Sequence, residues 1–155
     1  MAETRDIVTV ERVIPSPPGP IFELIADPGS HRKIDGSGTV RDPKGVPPEQ
    51  LELGTEFGMA MRMGIPYSMV STVIEYEKDR RVAWQTRPPS IFRKLAGGRI
   101  WRYELEPVDG GTRVRESWDI SEESPVTRGL VRRGAKATRE NMEATLERIE
   151  ELVTG

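Results

Sequence analysis

The sequence predicts an α+β domain in which a long C-terminal helix lies across an antiparallel sheet, and three observations lead to this prediction. Up to residue 121, apolar and polar residues alternate in short runs, a period typical of half-buried strands. Turn signals such as Asp109-Gly110-Gly111 join neighbouring runs and favour antiparallel pairing. The last segment instead repeats apolar residues at steps of three and four, which is the spacing of an amphipathic helix.

The N-terminal part combines one strand with two short helices. Asp6 to Ile14 alternates and predicts the first strand. The prolines at positions 15, 17 and 18 end this strand and favour the start of a short helix, which finishes near Asp27-Pro28. A second helical turn is predicted over Gly29 to Ile34.

The middle of the chain is predicted to be mostly strand. A tight reversal is expected at Gly64-Ile65-Pro66 and a loop over residues 43–48, because proline and glycine are frequent there. The predicted strands are Gly38 to Asp42, Thr55 to Met63, Tyr67 to Tyr76, Arg81 to Thr86, the run from Trp101 to Leu105, and Thr112 to Ile120.

The apolar repeat of the last segment predicts one helix of about six turns from Val131 to Leu152. Gly134 lies inside this repeat, so either a close packing contact or an irregular helix is expected there. Basic residues dominate the first half and acidic residues the second, an order that opposes the helix macrodipole. Compensation by an acidic ligand, a partner or acids such as Glu122 and Glu123 is one interpretation; a solvated face with local ion pairs is the alternative.

Composition limits the classes of function. A chain of 155 residues suits a single domain spanning residues 1–155. It has no cysteine, which excludes disulfides, thiolate catalysis and cysteine-ligated metal. A net charge of −2 with 31% charged residues argues against a nucleic-acid partner. No signal peptide or membrane span is visible, so a cytoplasmic location is expected.

Motifs for several enzyme classes are missing. His31 is the only histidine, which excludes a paired-histidine metal site. With Asp35 it could transfer a proton, but a structural or exposed side chain is the favoured alternative. Nucleotide-binding glycine loops and Ser–His–Asp arrangements are also absent from the sequence. No metal and no cofactor are therefore expected, and hydrolase and NTPase functions are excluded.

Four stretches carry a resemblance that extends over the whole chain: PSPPGPIFELIADPGSHRKIDGSGTV, GTEFGMAMRM, VIEYEKDRRVAWQTR and GGTRVRESWDI. They resemble the polyketide cyclase/dehydrase branch of the START-like (SRPBCC, Bet v 1-like) superfamily. The resemblance implies a helix-grip fold, in which a curved seven-stranded antiparallel sheet wraps around the C-terminal helix. It also implies a hydrophobic cavity for a lipid, sterol or polyketide, with catalysis in only some members.

The implied cavity needs an adaptable apolar lining. Phe57, Met59, Met61 and Met63 recur at every second position, so they share one face of a strand, and methionine adapts to varied guests. Ordinary core packing is the alternative. Small residues in the first half of the last helix predict space beside it. The predicted ligand-contacting residues are Phe57, Met59, Met61, Met63, Trp101, Tyr103, Trp118, Ala135, Thr138 and Met142.

Glu116 is the first candidate for catalysis. By alternation it shares the predicted interior face with Val114 and Trp118. A buried carboxylate could anchor a ligand hydroxyl, or act as a general acid or base with Tyr103. The alternatives are a structural pair with an arginine, or a β-bulge that turns it outward. Arg102 is a further suspect, although alternation points it away from Tyr103.

Three hypotheses of function follow. The first is a module that binds a small hydrophobic ligand. The second is an enzyme of the cyclase, aromatase or dehydratase type that uses the cavity acid or base. The third is a non-catalytic interaction or regulatory protein with a collapsed cavity. The oligomeric state is not predicted.

The loop from Arg87 to Arg99 combines basic residues with the apolar Ile91, Phe92 and Leu95. In the resembled fold, this loop borders the cavity mouth. Basic charge beside protruding apolar groups suits an anionic lipid surface, so peripheral membrane contact is one prediction. The alternative is that these apolar residues cap the core.

Overall fold

The computed structural model describes residues 6–27, 30–34, 40–44, 51–63, 65–88 and 97–155, with side chains described at all of these except 32, 40–44, 59–63 and 65–68. The elements are β1 (Ile7–Ile14), α1 (Pro18–Ile25), α2 (His31–Ile34), β2 (Val40–Lys44), β3 (Glu56–Met63), β4 (Ile65–Glu77), β5 (Arg81–Arg87), β6 (Arg99–Val108), β7 (Gly111–Asp119), α3 (Pro125–Arg132) and α4 (Ala135–Thr154).

Within the described residues, seven strands form one antiparallel sheet in the order β1-β7-β6-β5-β4-β3-β2. From β2 to β7, each strand pairs with its neighbour in sequence. β1 instead crosses the sheet to pair with β7. An α+β architecture with an antiparallel sheet and a long C-terminal helix is thus confirmed.

The predicted first strand and first helix are confirmed, and the burial of their apolar residues and the placement of proline explain both. In β1, the alternating residues Val8, Val10 and Ile14 are buried. α1 begins at Pro18, where proline suits the first helical turn because the N–H it lacks would have no partner there. The helix buries one face through Ile21, Phe22 and Ile25.

Two predicted boundaries in the middle of the chain are wrong. β2 runs two residues later than predicted and includes Pro43, which was assigned to a loop. An edge strand tolerates proline because, among the described strands, none pairs with its outer side. β4 begins at Ile65 rather than at Tyr67, although the predicted reversal is confirmed, because Met63 pairs with Ile65.

The predicted hairpin at Asp109-Gly110-Gly111 joins β6 to β7 and is confirmed. Gly110 has a φ of +86°, a left-handed conformation that glycine adopts without steric cost. Gly111 has a second constraint, since a Cβ there would lie 2.0 Å from the carbonyl oxygen of Ile14. Glycine at position 111 therefore lets the end of β1 approach the start of β7.

The single C-terminal helix predicted from Val131 to Leu152 is wrong at its N-terminal end. Val131 belongs to α3, and α4 starts only at Ala135. Gly134 between them has φ −86° and ψ 4°, and its N–H donates to the carbonyl of Val131. The irregularity expected at Gly134 is confirmed, because glycine has a low helix propensity.

The core lies between one face of the sheet, α1 and the second half of α4. α4 contributes Met142, Leu146 and Ile149 to this core and also buries Thr145. In the described part of the chain, no helix is long and apolar enough to cross a bilayer.

Candidate functional site

Glu116 lies on the inner face of the sheet, between two strands. Its Cα partners are Tyr103 on β6 and Val10 on β1. All three residues are buried, with Glu116 only 2% exposed. β7 shows no register shift against either neighbour, so the bulge that would turn Glu116 outward is ruled out. A carboxyl and a phenol are thus neighbours in the interior, since directly opposed Cβ atoms are about 5 Å apart.

Four rings form a cluster that extends from Tyr103 across the inner face. Trp84 lies 5.7 Å from Tyr103 between ring centroids, and His31 stacks on Trp84 at 5.1 Å. Phe57 meets both Trp84 and His31 edge-on. Two of the residues predicted to contact a ligand, Phe57 and Tyr103, therefore lie in one cluster. Trp84 and His31 belong to the same cluster but were not among the predicted residues.

His31 is held in this cluster by a hydrogen bond. Its Nε2 lies 2.8 Å from the carbonyl oxygen of Ile25. Because a carbonyl only accepts, Nε2 must carry the proton. His31 is buried and stacked, which agrees with the structural alternative. Asp35, its suggested partner in proton transfer, lies outside the described residues. Over the ranges described, no three metal-ligating side chains converge.

A row of mostly polar residues crosses the same inner face, two residues along β5 from Trp84. The register aligns Phe57 with Ser71, Ser71 with Thr86, and Thr86 with Arg99. The buried hydroxyls of Ser71 and Thr86 are 2.8 Å apart, so each gives the other a hydrogen-bond partner.

The row ends at a buried ion pair. Nε of Arg99 lies 3.4 Å from Oε1 of Glu123, whose side chain is 0% exposed. The hydroxyl of Thr127 donates to the other carboxylate oxygen of Glu123. The Arg99–Glu123 distance joins the start of β6 to the segment before α3. Glu123 was expected only to offset basic charge on the helix, so this interior role was missed.

The other predicted ligand-contacting residues divide between buried and half-buried positions. Trp118 is buried and lies 6.4 Å from the half-buried Trp101. On α4, Met142 is buried, whereas Ala135 and Thr138 are half-buried. The first half of α4 thus carries small, half-buried side chains at these positions, whereas the bulky side chain of Met142 in the second half is buried.

Part of the predicted site lies outside the described residues. The backbone of Met59, Met61 and Met63 follows β3 as predicted, but their side chains are outside the described set. The predicted cavity mouth, Ile91, Phe92 and Leu95, falls within residues 89–96, which are also outside it.

Arg102 lies on the opposite face of the sheet from Tyr103. Its Nε donates to Oε1 of Glu75 at 3.0 Å. This hydrogen bond holds the pKa of the Glu75 carboxyl below its usual value and raises the pKa of the Arg102 guanidinium, although burial opposes both shifts. Arg102 is therefore a structural partner of Glu75, and the alternation that pointed it away from Tyr103 is confirmed.

The outer face of the sheet carries a separate groove of about 470 Å³. Charged side chains dominate its lining, and several are paired across strands, including Arg81 with Glu104 and Arg113 with Glu106. Such a lining does not suit an apolar ligand. The candidate site is thus the inner face, built around Glu116, Tyr103 and the ring cluster.

The architecture is shared with solved bacterial structures. A protein from Chromobacterium violaceum matches with a TM-score of 0.74 and 15% identity, over 98% of this chain and 99% of its own. One from Nitrosomonas europaea gives 0.72 and 17%, over 99% and 97%. An AHSA1-like protein from Aeromonas hydrophila gives 0.64 and 14%, over 94% and 93%. At these identities, the likeness concerns the fold alone.

Two further comparisons concern sequence. An uncharacterized protein of Mycobacterium tuberculosis is 32% identical over 142 residues, which cover 88% of this chain and 59% of that protein. The chain thus spans less than two thirds of the length of this relative. Residues 5–154 match the family described as polyketide cyclase / dehydrase and lipid transport. The match covers nearly the whole chain, so the protein belongs to this polyketide cyclase/dehydrase family.

Proposed function

We propose that the protein binds a small hydrophobic ligand between the inner face of the sheet and the N-terminal half of α4. The uneven burial of α4 carries this proposal. All of its buried side chains lie at or after Met142, whereas Ala135 and Thr138 place small side chains at half-buried positions. Small side chains leave space that bulky ones would fill, which favours a cavity beside the first half of α4.

The chemistry of the inner face suits a largely apolar guest with a few polar groups. The rings of Phe57, Trp84 and Tyr103 offer apolar and aromatic surface. Glu116 and the Tyr103 hydroxyl add polar groups that can orient a ligand oxygen. A lipid, sterol or polyketide has this combination, and the description of the family supports the same class.

Filling the proposed space tests this function. Ala135→Leu is expected to lower ligand affinity by at least tenfold, about 1.4 kcal/mol, because the larger side chain would occupy the volume of the guest. The free energy of unfolding should change by less than about 1 kcal/mol, because in the proposed cavity the added side chain would displace no core residue. Native mass spectrometry of gently purified protein identifies the guest, and thermal shifts with lipids, sterols and aromatic polyketides measure binding.

Ala137→Leu is the matched control, because Ala137 is exposed on the same helix. It should change neither binding nor stability. A collapsed core predicts a different result: Ala135→Leu would overpack the interior and destabilise the protein by about 1–3 kcal/mol. That result, together with no bound guest and no thermal shift, would favour an interaction protein over a ligand-binding one.

An enzyme of the cyclase or dehydratase type is the second candidate, favoured by the directly opposed and buried Glu116 and Tyr103. Glu116→Gln keeps the shape of the side chain but removes its acid–base chemistry. Turnover of polyketide substrates, followed by mass spectrometry of the products, should fall by about 100-fold or more while binding is retained. Unchanged turnover would exclude Glu116 as the acid or base.

A further inference from the structure

We propose that the exposed face of α3 docks on an anionic lipid membrane. α3 buries none of its side chains. Val126 and Leu130 lie one helical turn apart and are 76% and 72% exposed. Among the large apolar side chains described, these two are the most exposed. This inference concerns the outer surface and stands independently of any ligand in the interior.

The orientation of α3 is set by polar contacts on its other side. Arg132 forms a salt bridge with Asp6 at 2.8 Å. Nη2 of Arg128 donates to the carbonyl oxygens of Glu123 and Ser121 at 2.9 and 3.2 Å. These contacts hold the helix with Val126 and Leu130 facing away from the protein.

Exposed basic side chains follow the apolar pair along the chain. Arg133 caps the C-terminal end of α3 and Lys136 lies in the first turn of α4; both are exposed. Within the described residues, neither forms a salt bridge. From residue 128 to residue 139, every charged side chain is basic, although the whole protein has a net charge of −2. The positive charge is therefore local to this part of the surface.

The combination of charge and apolar groups identifies the partner. Apolar side chains beside lysine and arginine suit the interface of an anionic bilayer, where the negatively charged phosphates of the lipid head groups attract the cations and the acyl region accepts the apolar groups. A second copy of the chain would bring the same cations to the contact, and like charges would repel. A membrane surface is thus favoured over self-association.

Vesicle co-sedimentation tests the proposal. The full chain should bind vesicles of phosphatidylcholine containing phosphatidylglycerol, bind vesicles of phosphatidylcholine alone more weakly, and dissociate as salt is added. R133Q/K136Q should weaken binding to the anionic vesicles about 25-fold, or about fivefold for each cation. V126S/L130S should weaken it by at least about tenfold through the loss of apolar insertion.

L53S/L152S is the matched control, because Leu53 and Leu152 are also exposed apolar side chains but belong to other segments, before β3 and near the end of α4. Its vesicle binding should equal that of the wild type. The proposal is overturned if the wild type does not bind anionic vesicles, or if V126S/L130S binds as well as the wild type. It is also overturned if analytical ultracentrifugation shows a dimer that V126S/L130S abolishes. If V126S/L130S does not fold, the vesicle binding of R133Q/K136Q tests the proposal instead, and binding equal to that of the wild type overturns it.

Discussion

Replacing Trp84 with alanine is expected to lower the free energy of unfolding by about 3–5 kcal/mol. Trp84 is buried and contacts three other rings, those of His31, Phe57 and Tyr103. Truncation would remove all three ring contacts and leave a cavity between α2 and the sheet. Urea unfolding followed by circular dichroism measures the change.

Trp101→Ala is the appropriate control for Trp84→Ala. Trp101 is the direct Cα partner of Trp84 on β6, but it is half-buried and its ring contacts only that of Trp118 among the described residues. Its truncation should destabilise the protein clearly less. Equal effects of the two substitutions would show that the ring cluster does not organise the interior.

Replacing Gly111 with alanine is expected to destabilise the protein by about 3 kcal/mol. The new Cβ would lie 2.0 Å from the carbonyl oxygen of Ile14 and 2.9 Å from the Cα of Pro15. Both are backbone atoms, so no side-chain rotation relieves the clash. β1 and β7 would have to separate where the Thr112 hydroxyl donates to the Ser16 carbonyl at 2.7 Å. Thermal and urea unfolding measure the loss.

Gly110→Ala separates the clash from backbone strain. Gly110 also has a positive φ, but a Cβ there would have no atom within 4 Å. The substitution should therefore destabilise by only about 1–2 kcal/mol, the cost of a left-handed conformation. If Gly111→Ala were no worse than Gly110→Ala, the close approach of β1 and β7 would not limit stability.

Much of the fold was predictable because its strands are half-buried. Alternation in β7 placed Glu116 on the inner face with Val114 and Trp118, and all three are buried. The helix boundary near Gly134 was harder, because the apolar repeat continues across it. The low helix propensity of glycine was the one local signal of the break.

The contacts of the site were less predictable because they join distant parts of the chain. His31 on α2 stacks on Trp84 on β5, and Arg99 pairs with Glu123. No period in the sequence relates either pair, since each depends on how α2 or α3 is placed against the sheet. The exposed face of α3 was not predicted, because the apolar repeat that indicated a helix begins only at Val131, after Val126 and Leu130.

The crossing of β1 to pair with β7 also affects how the chain can fold during synthesis. The hydroxyls of Thr9 and Ser117 lie 3.1 Å apart although 108 positions separate them. β1 therefore leaves the ribosome long before its partner strand exists. Closing so long a loop is entropically costly, and topologies dominated by such pairings fold slowly. Until β7 emerges, the edge of β1 has no partner strand and is open to pairing with other chains.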